Sequence, residues 1–382
     1  MNLTSFLRPH RCVAVATVLA AASGCATHAG HETGPKPETG REMRRAHFYQ
    51  NRQYGSESQF NPLSAVLNNG YDQIRTFPNR GALTFDYRGG AEGTLNSLLN
   101  AGKLVRQYGT WNWVRFELLP LSSQRQGGSQ WWPNYQLHLF AGGATYVRLM
   151  AWYEQRDFKH PRIAAATTKY AGHVLNEMIE NTSYRNGTVD GMTDLLIFDP
   201  AAILLWNSDR VQRFVGTRME FTEWPGQPSL ALPGHTVENT FQTTMVRVRI
   251  PRTSEWRAFT TMGGSYVAGL SRRTRDSTWV SFGIGTDAST NAVIDTLTGR
   301  KTAELIGNAG IFVDRGSSLL WSVILKSGYD DALTLNVYPG VMRFGRSQLA
   351  PGFWTQYLPR QREMRFGVTS GWGFGLGRNP LP

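Results

Sequence analysis

Five side chains between residues 173 and 194 are spaced for joint chemistry. His173, Glu177 and Glu180 fall at i, i+4 and i+7, and Asp190 and Asp194 stand four apart beyond an Asn186-Gly187 turn. On a helix the first three share one face. Two short antiparallel helices joined at the turn would bring all five within reach of one another. Carboxylates crowded in this way repel unless one is protonated, an arginine intervenes or a cation binds. One imidazole among several carboxylates suits Zn, Mn, Fe or Mg, so a divalent metal is the one cofactor these residues admit. A hydrolytic centre would also need an open coordination position and a base, a role one of the glutamates can fill. His138, Asn176 and Asn134 are candidates to complete such a set. The same residues equally suit a plain polar junction, with Glu177 and Glu180 facing solvent or pairing with Arg185, and Asp190 and Asp194 serving as helix-start acids. No HExxH, GxSxG, Walker loop or dinucleotide fingerprint accompanies them, so no catalytic residue is assigned.

The elements that must position these residues are helical. Phe60-Asn61-Pro62 reads as a helix start, and 63–77 continues it with apolar residues on one face. Thr94 is placed to cap a helix over 94–109, followed by an apolar element at 111–121. The stretch 135–156 is apolar on nearly every face, with His138, Gly142-Gly143 and Arg148 arguing against a simple lipid-facing span. The glycine pair is best explained by close packing. Pro161 opens an Ala-rich helix that carries His173. After about residue 236 the period changes from 3.6 to 2. The segments 240–250, 278–285, 319–326 and 332–338 alternate, and 327–331 between the last two is a hairpin turn. Roughly seven or eight strands result, a number that suits a curved sheet or small barrel. A membrane-spanning barrel would need strands of about 9–11 residues.

The bulk numbers narrow the class. With 382 residues the chain has ample length for a sizeable core. Lys plus Arg is 40 against 28 acids, a formal +12, and the excess is mostly arginine. No long basic run occurs, which argues against nucleic acid. Twelve Trp and 40 Gly with 12% aromatics match β-rich envelope proteins, where aromatic rings sit at the membrane–water interface. Trp131, Trp132 and Arg148 are the interfacial candidates.

The first residues carry a second message. Arg8 and Arg11 precede an apolar run at 13–22, then Ser23, Gly24 and Cys25. A basic start, about ten apolar residues and small residues at the cut form an export signal, too short to span a bilayer. The only cysteines are Cys12 and Cys25, so a processed chain has no internal disulfide and no thiol nucleophile. Ala22-Ser23-Gly24-Cys25 resembles the lipobox of bacterial lipoproteins, with Ala22 where that family usually has Leu. The resemblance implies lipidation at Cys25. Ala26 in place of Asp implies the outer membrane, periplasmic side.

The runs 61–72 (NPLSAVLNNGYD) and 131–146 (WWPNYQLHLFAGGATY), with the spacing in 173–205 (HVLNEMIEN…VDGMTDLLIFDPAAILL), resemble an uncharacterised family of proteobacterial envelope proteins, known mainly as a domain of unknown function. The likeness covers roughly residues 60–250 and implies architecture and location only. The family's acidic helix maps onto His173, Glu177, Glu180, Asp190 and Asp194.

The expectation is therefore an α+β protein: signal peptide 1–24, flexible tether 25–46, helical region 47–235, and β region 236–382. An N-terminal helical assembly packs on a C-terminal antiparallel sheet or small β-barrel. The preferred role is an outer-membrane-associated, lipid-anchored protein, structural or lipid-contacting, with membrane lipid and other envelope proteins as partners and no nucleic acid. A metal-assisted hydrolase acting on an envelope lipid or glycan is the alternative, and a periplasmic binding module a third reading.

Overall fold

A computed structural model describes residues 39–72, 81–121, 131–288, 293–294, 301–302, 305–327, 332–342, 350–359 and 362–379. The expected signal peptide, Cys25 and residues 25–38 of the expected tether lie outside the described residues. Within the rest of that tether, Gly40–His47 is an α-helix instead. Thr39 accepts from the Glu42 amide and the Glu42 carboxylate accepts from the Thr39 amide at 2.9 Å, a capping box. Arg44 then buries its guanidinium against Glu154, Asp209 and Gln212. A polar, charge-mixed sequence reads as tether because its partners are distant in the chain.

Helices Pro62–Gly70, Tyr87–Leu99, Ala101–Tyr108, Gly142–Glu154, Pro161–Glu180, Asp199–Trp206 and Asp209–Arg218 form the rest of the helical part. Asn61 caps the first, with Pro62 in its opening turn. The second is capped at Asp86, eight residues before the expected Thr94 cap, because the Asp86 carboxylate accepts from the Gly89 amide and carries the helix through Gly89-Gly90. Gly142–Glu154 is buried on nearly every face. Gly143 permits that: a Cβ there would meet the Trp206 ring at 2.1 Å. Arg148, expected at an interface, is buried and lies over the Phe60 ring at 4.0 Å, with its Nη1 donating to the Glu223 carbonyl at 2.6 Å. Trp131 is half-buried, and the Trp132 side chain lies outside the described residues. No described helix is long and apolar enough to cross a membrane.

The strands are β1 Phe221–Pro225, β2 Ser229–Leu232, β3 Thr236–Glu238, β4 Gln242–Arg249, β5 Trp256–Gly263, β6 Tyr266–Arg273, β7 Thr278–Ala288, β8 Val293–Ile294, β9 Lys301–Thr302, β10 Leu305–Arg315, β11 Ser318–Lys326, β12 Leu333–Val337, β13 Gly352–Leu358, β14 Glu363–Thr369 and β15 Gly375–Arg378. Strand structure thus starts at Phe221 rather than 236. β8 and β9 pair only with each other, and the other thirteen segments form one sheet. The expected hairpin partners are β11 and β12, and residues 328–331 of the expected turn lie outside the described residues.

The sheet returns on itself. The register of β1 on β4, Phe221↔Val246 to Pro225↔Gln242, continues without slip as that of β2 on β3, Ser229↔Glu238 to Ala231↔Thr236. The Gly226 amide bonds the Phe241 carbonyl at 2.7 Å across the break, in the same register. β1 with β2, and β3 with β4, are therefore two long strands of one hairpin, and the thirteen segments count as eleven strands. β5 flanks β4 and β15 flanks β2, so each strand neighbours its successor and the last neighbours the first. This count exceeds the expected seven or eight, and the sheet is mixed rather than antiparallel. Parity is the reason: an up-and-down ring with an odd number of strands must close on one parallel pair, here β15 with β2.

Inside the ring, Trp224, Met245, Phe259, Phe312 and Tyr338 pack together. Beside them the Arg247–Asp314 ion pair is buried with Ser271 and Ser281. The outer faces of β1, β4 and β5 carry Phe221, Val246 and Met262 into the core formed by Tyr146, Leu149, Met150 and Trp206 of the helices. The short 3-10 turn Gly55–Gln59 hydrogen-bonds the ends of β11 and β14: Leu319 N–H to Ser56 Oγ at 3.0 Å, and Gln59 Nε2 to Thr369 Oγ1 at 2.7 Å.

Candidate functional site

The residues singled out by spacing converge in part. His173 and Glu177 project from Pro161–Glu180, and Asp194 meets them from the following element. One donor atom from each of the three lies within 4.8 Å of the others. Glu180 and Asp190 are not members of that group. Asp190 sits in the first turn of Val189–Thr193, where its charge acts on Asp194.

Three further partners join them: His138 and Asp199, which the spacing does not reach, and Lys169, one turn before His173 on the same helix. The His138 ring stacks on that of His173, centroids 4.5 Å apart and planes at 21°. His138 is among the residues the sequence offers to complete the set, and Asp199 and Lys169 are not. His173 Nδ1 lies 2.6 Å from Asp199 Oδ2, and Lys169 Nζ bonds the other oxygen, Asp199 Oδ1. Asn134, also a candidate, is buried and donates from Nδ2 to the Glu117 carbonyl at 3.4 Å. Asn176 instead bonds the Asn69 carbonyl.

Backbone irregularity explains why spacing does not reach His138 and Asp199. Val114–Leu118, Asn134–Ala141 and Asp194–Phe198 are π-helical, and they carry Glu117, His138 and Asp194. In the third, the Asp199 amide bonds the Asp194 carbonyl, an i to i+5 closure that turns both carboxylates toward His173. In a regular α-helix residues five apart diverge by well over a right angle. Single-turn π segments concentrate at functional sites because they redirect side chains in this way.

The carboxylates are held in fixed roles. Glu177 Oε2 accepts from Asn181 Nδ2 at 3.0 Å, and Asn181 Oδ1 accepts from Thr188 Oγ1. Its other oxygen, Oε1, faces His173 Nε2 at 3.4 Å. Gly191 makes room: a Cβ there would lie 2.2 Å from Glu177 Oε2. Gly191→Ala should therefore displace Glu177 and lower stability by about 1–3 kcal/mol, read from the thermal unfolding midpoint.

Electrostatics differ sharply across the group. Burial alone would lower His173, but Asp199 and Glu177 outweigh it and hold the imidazole up to about 9. Burial pushes Asp199 up, yet His173 and Lys169 hold it well below the usual carboxylate range. Asp194 goes the other way, raised by burial and then by Asp190, Glu177 and Glu117. His138 is held well below its ordinary value, by burial and by the neighbouring His173. His173, Glu177, Asp194 and Asp199 are all buried, while His138 keeps 21% of its side chain accessible. Two imidazoles and two or three carboxylates, one edge open, can bind a cation or pass a proton. No family model, curated protein or solved structure matches the chain.

Proposed function

We propose that this chain is an outer-membrane-associated lipoprotein, anchored through Cys25 on the periplasmic side, whose ring of strands is a small barrel laid against lipid hydrocarbon. The role is structural or lipid-contacting. The observation that carries the reading is the outward face from β6 to β15. On β7 the outward residues are Val280, Phe282 and Ile284, and on β14 they are Met364, Phe366 and Val368. All six are exposed, with Phe282 at 58% and Ile284 at 68%. Strand register carries the face sideways: Phe282 stands beside Ile311, Ile311 beside Val323, Val323 beside Leu335, and Leu335 beside Thr355, the one polar step before Phe366. An antiparallel sheet with one face in water puts polar residues on that face. A contiguous apolar surface of this kind marks a protein or membrane contact.

Lipid is favoured over a protein partner by what borders the face. Trp372, 82% exposed, stands at the turn between β14 and β15, and Trp256 lies at the other border under the Arg272 guanidinium. Aromatic and arginine side chains of this kind sit at the headgroup level of membranes. Three outward rows about 7 Å apart span about 14 Å along the strands, short of the ~25 Å apolar belt of a spanning barrel. The odd strand count also departs from bacterial outer-membrane barrels. The contact therefore reaches into one leaflet from the side left bare by the helices.

The test uses the full chain with Cys25→Ser, which removes the acyl anchor, and vesicles of phosphatidylethanolamine and phosphatidylglycerol. The variant is expected to float with vesicles. Adding Phe282→Glu, Ile284→Glu and Phe366→Glu should leave it in the pellet fraction with an unchanged circular dichroism spectrum. A Cys25→Ser chain that stays monomeric in detergent-free buffer and does not float would overturn the reading. A stoichiometric dimer would assign the face to a second copy instead.

A further inference from the structure

We infer that His138, His173, Glu177 and Asp194 bind one divalent first-row transition-metal ion. The inference rests on donor geometry and is independent of the lipid contact. His138 Nε2 lies 3.4 Å from Asp194 Oδ2, and His173 Nε2 lies 3.4 Å from Glu177 Oε1. Each separation is too long for a strong charge-assisted hydrogen bond. Each equals the distance between two ligands on a shared ion, about 3.4 Å for bonds near 2.1 Å at the tetrahedral angle. One donor atom each from His173, Glu177 and Asp194 lie within 4.8 Å of one another, one each from His138, His173 and Asp199 do so as well, and the His138–Asp194 contact links the two trios around His173.

The outer residues orient the donors as a metal site requires. A metal-bound imidazole almost always donates its second ring N–H to a carboxylate, which fixes the tautomer and aims the other nitrogen at the ion. His173 Nδ1 meets Asp199 Oδ2 at 2.6 Å, and Lys169 holds Asp199 from its far oxygen. Lys169 makes Asp199 a poor direct ligand and a good support. Glu177 is fixed likewise, its Oε2 occupied by Asn181 and its Oε1 turned inward.

A second observation points into the same centre. His173 is 92% buried, from a relative exposure of 8%, and its Nε2 makes no well-formed hydrogen bond, with Glu177 Oε1 standing 3.4 Å away as an ion-pair partner. A buried nitrogen held this loosely forgoes part of the about 1–3 kcal/mol that a full partner supplies, and an ion at the centre would restore it. The donor set selects the class of ion. Two imidazoles exclude the all-oxygen cages that Ca²⁺ and Mg²⁺ prefer, and no thiolate is present to select Cu(I) or an iron–sulfur cluster. Zn²⁺, Mn²⁺ and Fe²⁺ fit. His138, the one partly accessible member, gives the ion its way in.

The experiment strips the full-length protein with a chelator, adds Zn²⁺ or Co²⁺, and reads bound metal by elemental analysis and the visible Co²⁺ spectrum. One ion per chain and a Co²⁺ band of low coordination number are expected. Glu177→Gln and Asp194→Asn should abolish stoichiometric binding. Asn181→Ala and Asp199→Asn, which touch only supports, should weaken it roughly 10–100-fold while leaving a band. Glu180→Gln, outside the group, should change nothing and serves as the folded control. Wild-type protein that takes up no Co²⁺ with this spectrum overturns the inference whatever the variants do. Binding that survives both Glu177→Gln and Asp194→Asn does so too, since it identifies an ion held elsewhere.

Discussion

Arg247→Met should destabilise the protein by about 3–5 kcal/mol, the cost of stranding one member of a buried ion pair. Arg247 projects from β4 into the ring and is 3% exposed, and Asp314 reaches it from β10 and is fully buried. The guanidinium makes four hydrogen bonds: Nη1 to Asp314 Oδ2 at 3.1 Å, Nη2 to Asp314 Oδ1 and to Ser281, and Nε to Ser271 at 3.2 Å. It also lies over the Trp279 ring at 5.2 Å. Burial already raises Asp314 against the pull of Arg247. Without the arginine that carboxyl must take up a proton or remain as an unpaired buried charge. The loss should therefore grow as pH rises, because ionising Asp314 then works against the folded state alone. Arg247→Met with Asp314→Leu removes both charges and should recover most of the loss, since an apolar pair of similar volume is often neutral in such a place. Urea unfolding of the two single variants and the double, at pH 5 and pH 8, gives the coupling energy directly. Additive losses in the double variant would show that the pair is not what holds β4 to β10 across the interior.

Glu223→Gln is expected to do the opposite and stabilise the protein above neutral pH. Glu223 lies on β1, buried under the Gly142–Glu154 helix. Its carboxyl accepts from Thr145 Oγ1, and Arg148 Nη1 is 3.9 Å from Oε2, which has no hydrogen bond. Burial pushes the group up to about 7, against the opposing pull of Arg148 and Thr145. The unfolded chain releases this proton near 4.5. Between those two values the folded state binds more protons, so stability falls as pH rises from about 4.5 to 7 and the whole penalty stands above 7. The shift corresponds to about 3 kcal/mol at most. Glutamine keeps the shape and the Thr145 bond without the charge. Unfolding midpoints should thus diverge between wild type and variant across that interval, the variant ahead at pH 8 and level with wild type at pH 4.5. A difference independent of pH would assign the effect to packing instead.

Local spacing carried part of the site. His173 and Glu177 at i and i+4 lie on one face of a long helix, and that helix starts at Pro161 as a proline in the first turn requires. Glu180 continues the same face by count but falls at the helix end, outside the group. Asp194 was reachable because it stands four residues from Asp190 just beyond the Asn186-Gly187 turn. His138 and Asp199 were not fixed by spacing, since their placement depends on π-helical turns, and a wider turn cannot be told from a regular one by a period of 3.6. Lys169 lies one turn before His173 on the same helix, so its spacing was visible. Only its ion pair with Asp199, thirty residues away, shows what it does.

The strand region divides along the same line. By itself the sequence determined that residues such as 319–326 and 333–337 form a hairpin, because alternation and a turn are local properties. It also determined that residues 280, 282 and 284 share one face. It did not determine which face is inward, for an alternating pattern reads the same with its apolar side in a core or against lipid. Only the tertiary structure decided that, by placing Gly283, Ser281 and Asp287 inside the ring and Phe282 and Ile284 outside it. Closure was likewise a tertiary decision. It needs β15 beside β2, almost 150 residues apart in the chain, and the odd strand number then forces that pair to run parallel. The convergence of His138, His173, Glu177 and Asp194 has the same origin: each helix follows from its own residues, but the centre they share exists only where three elements meet.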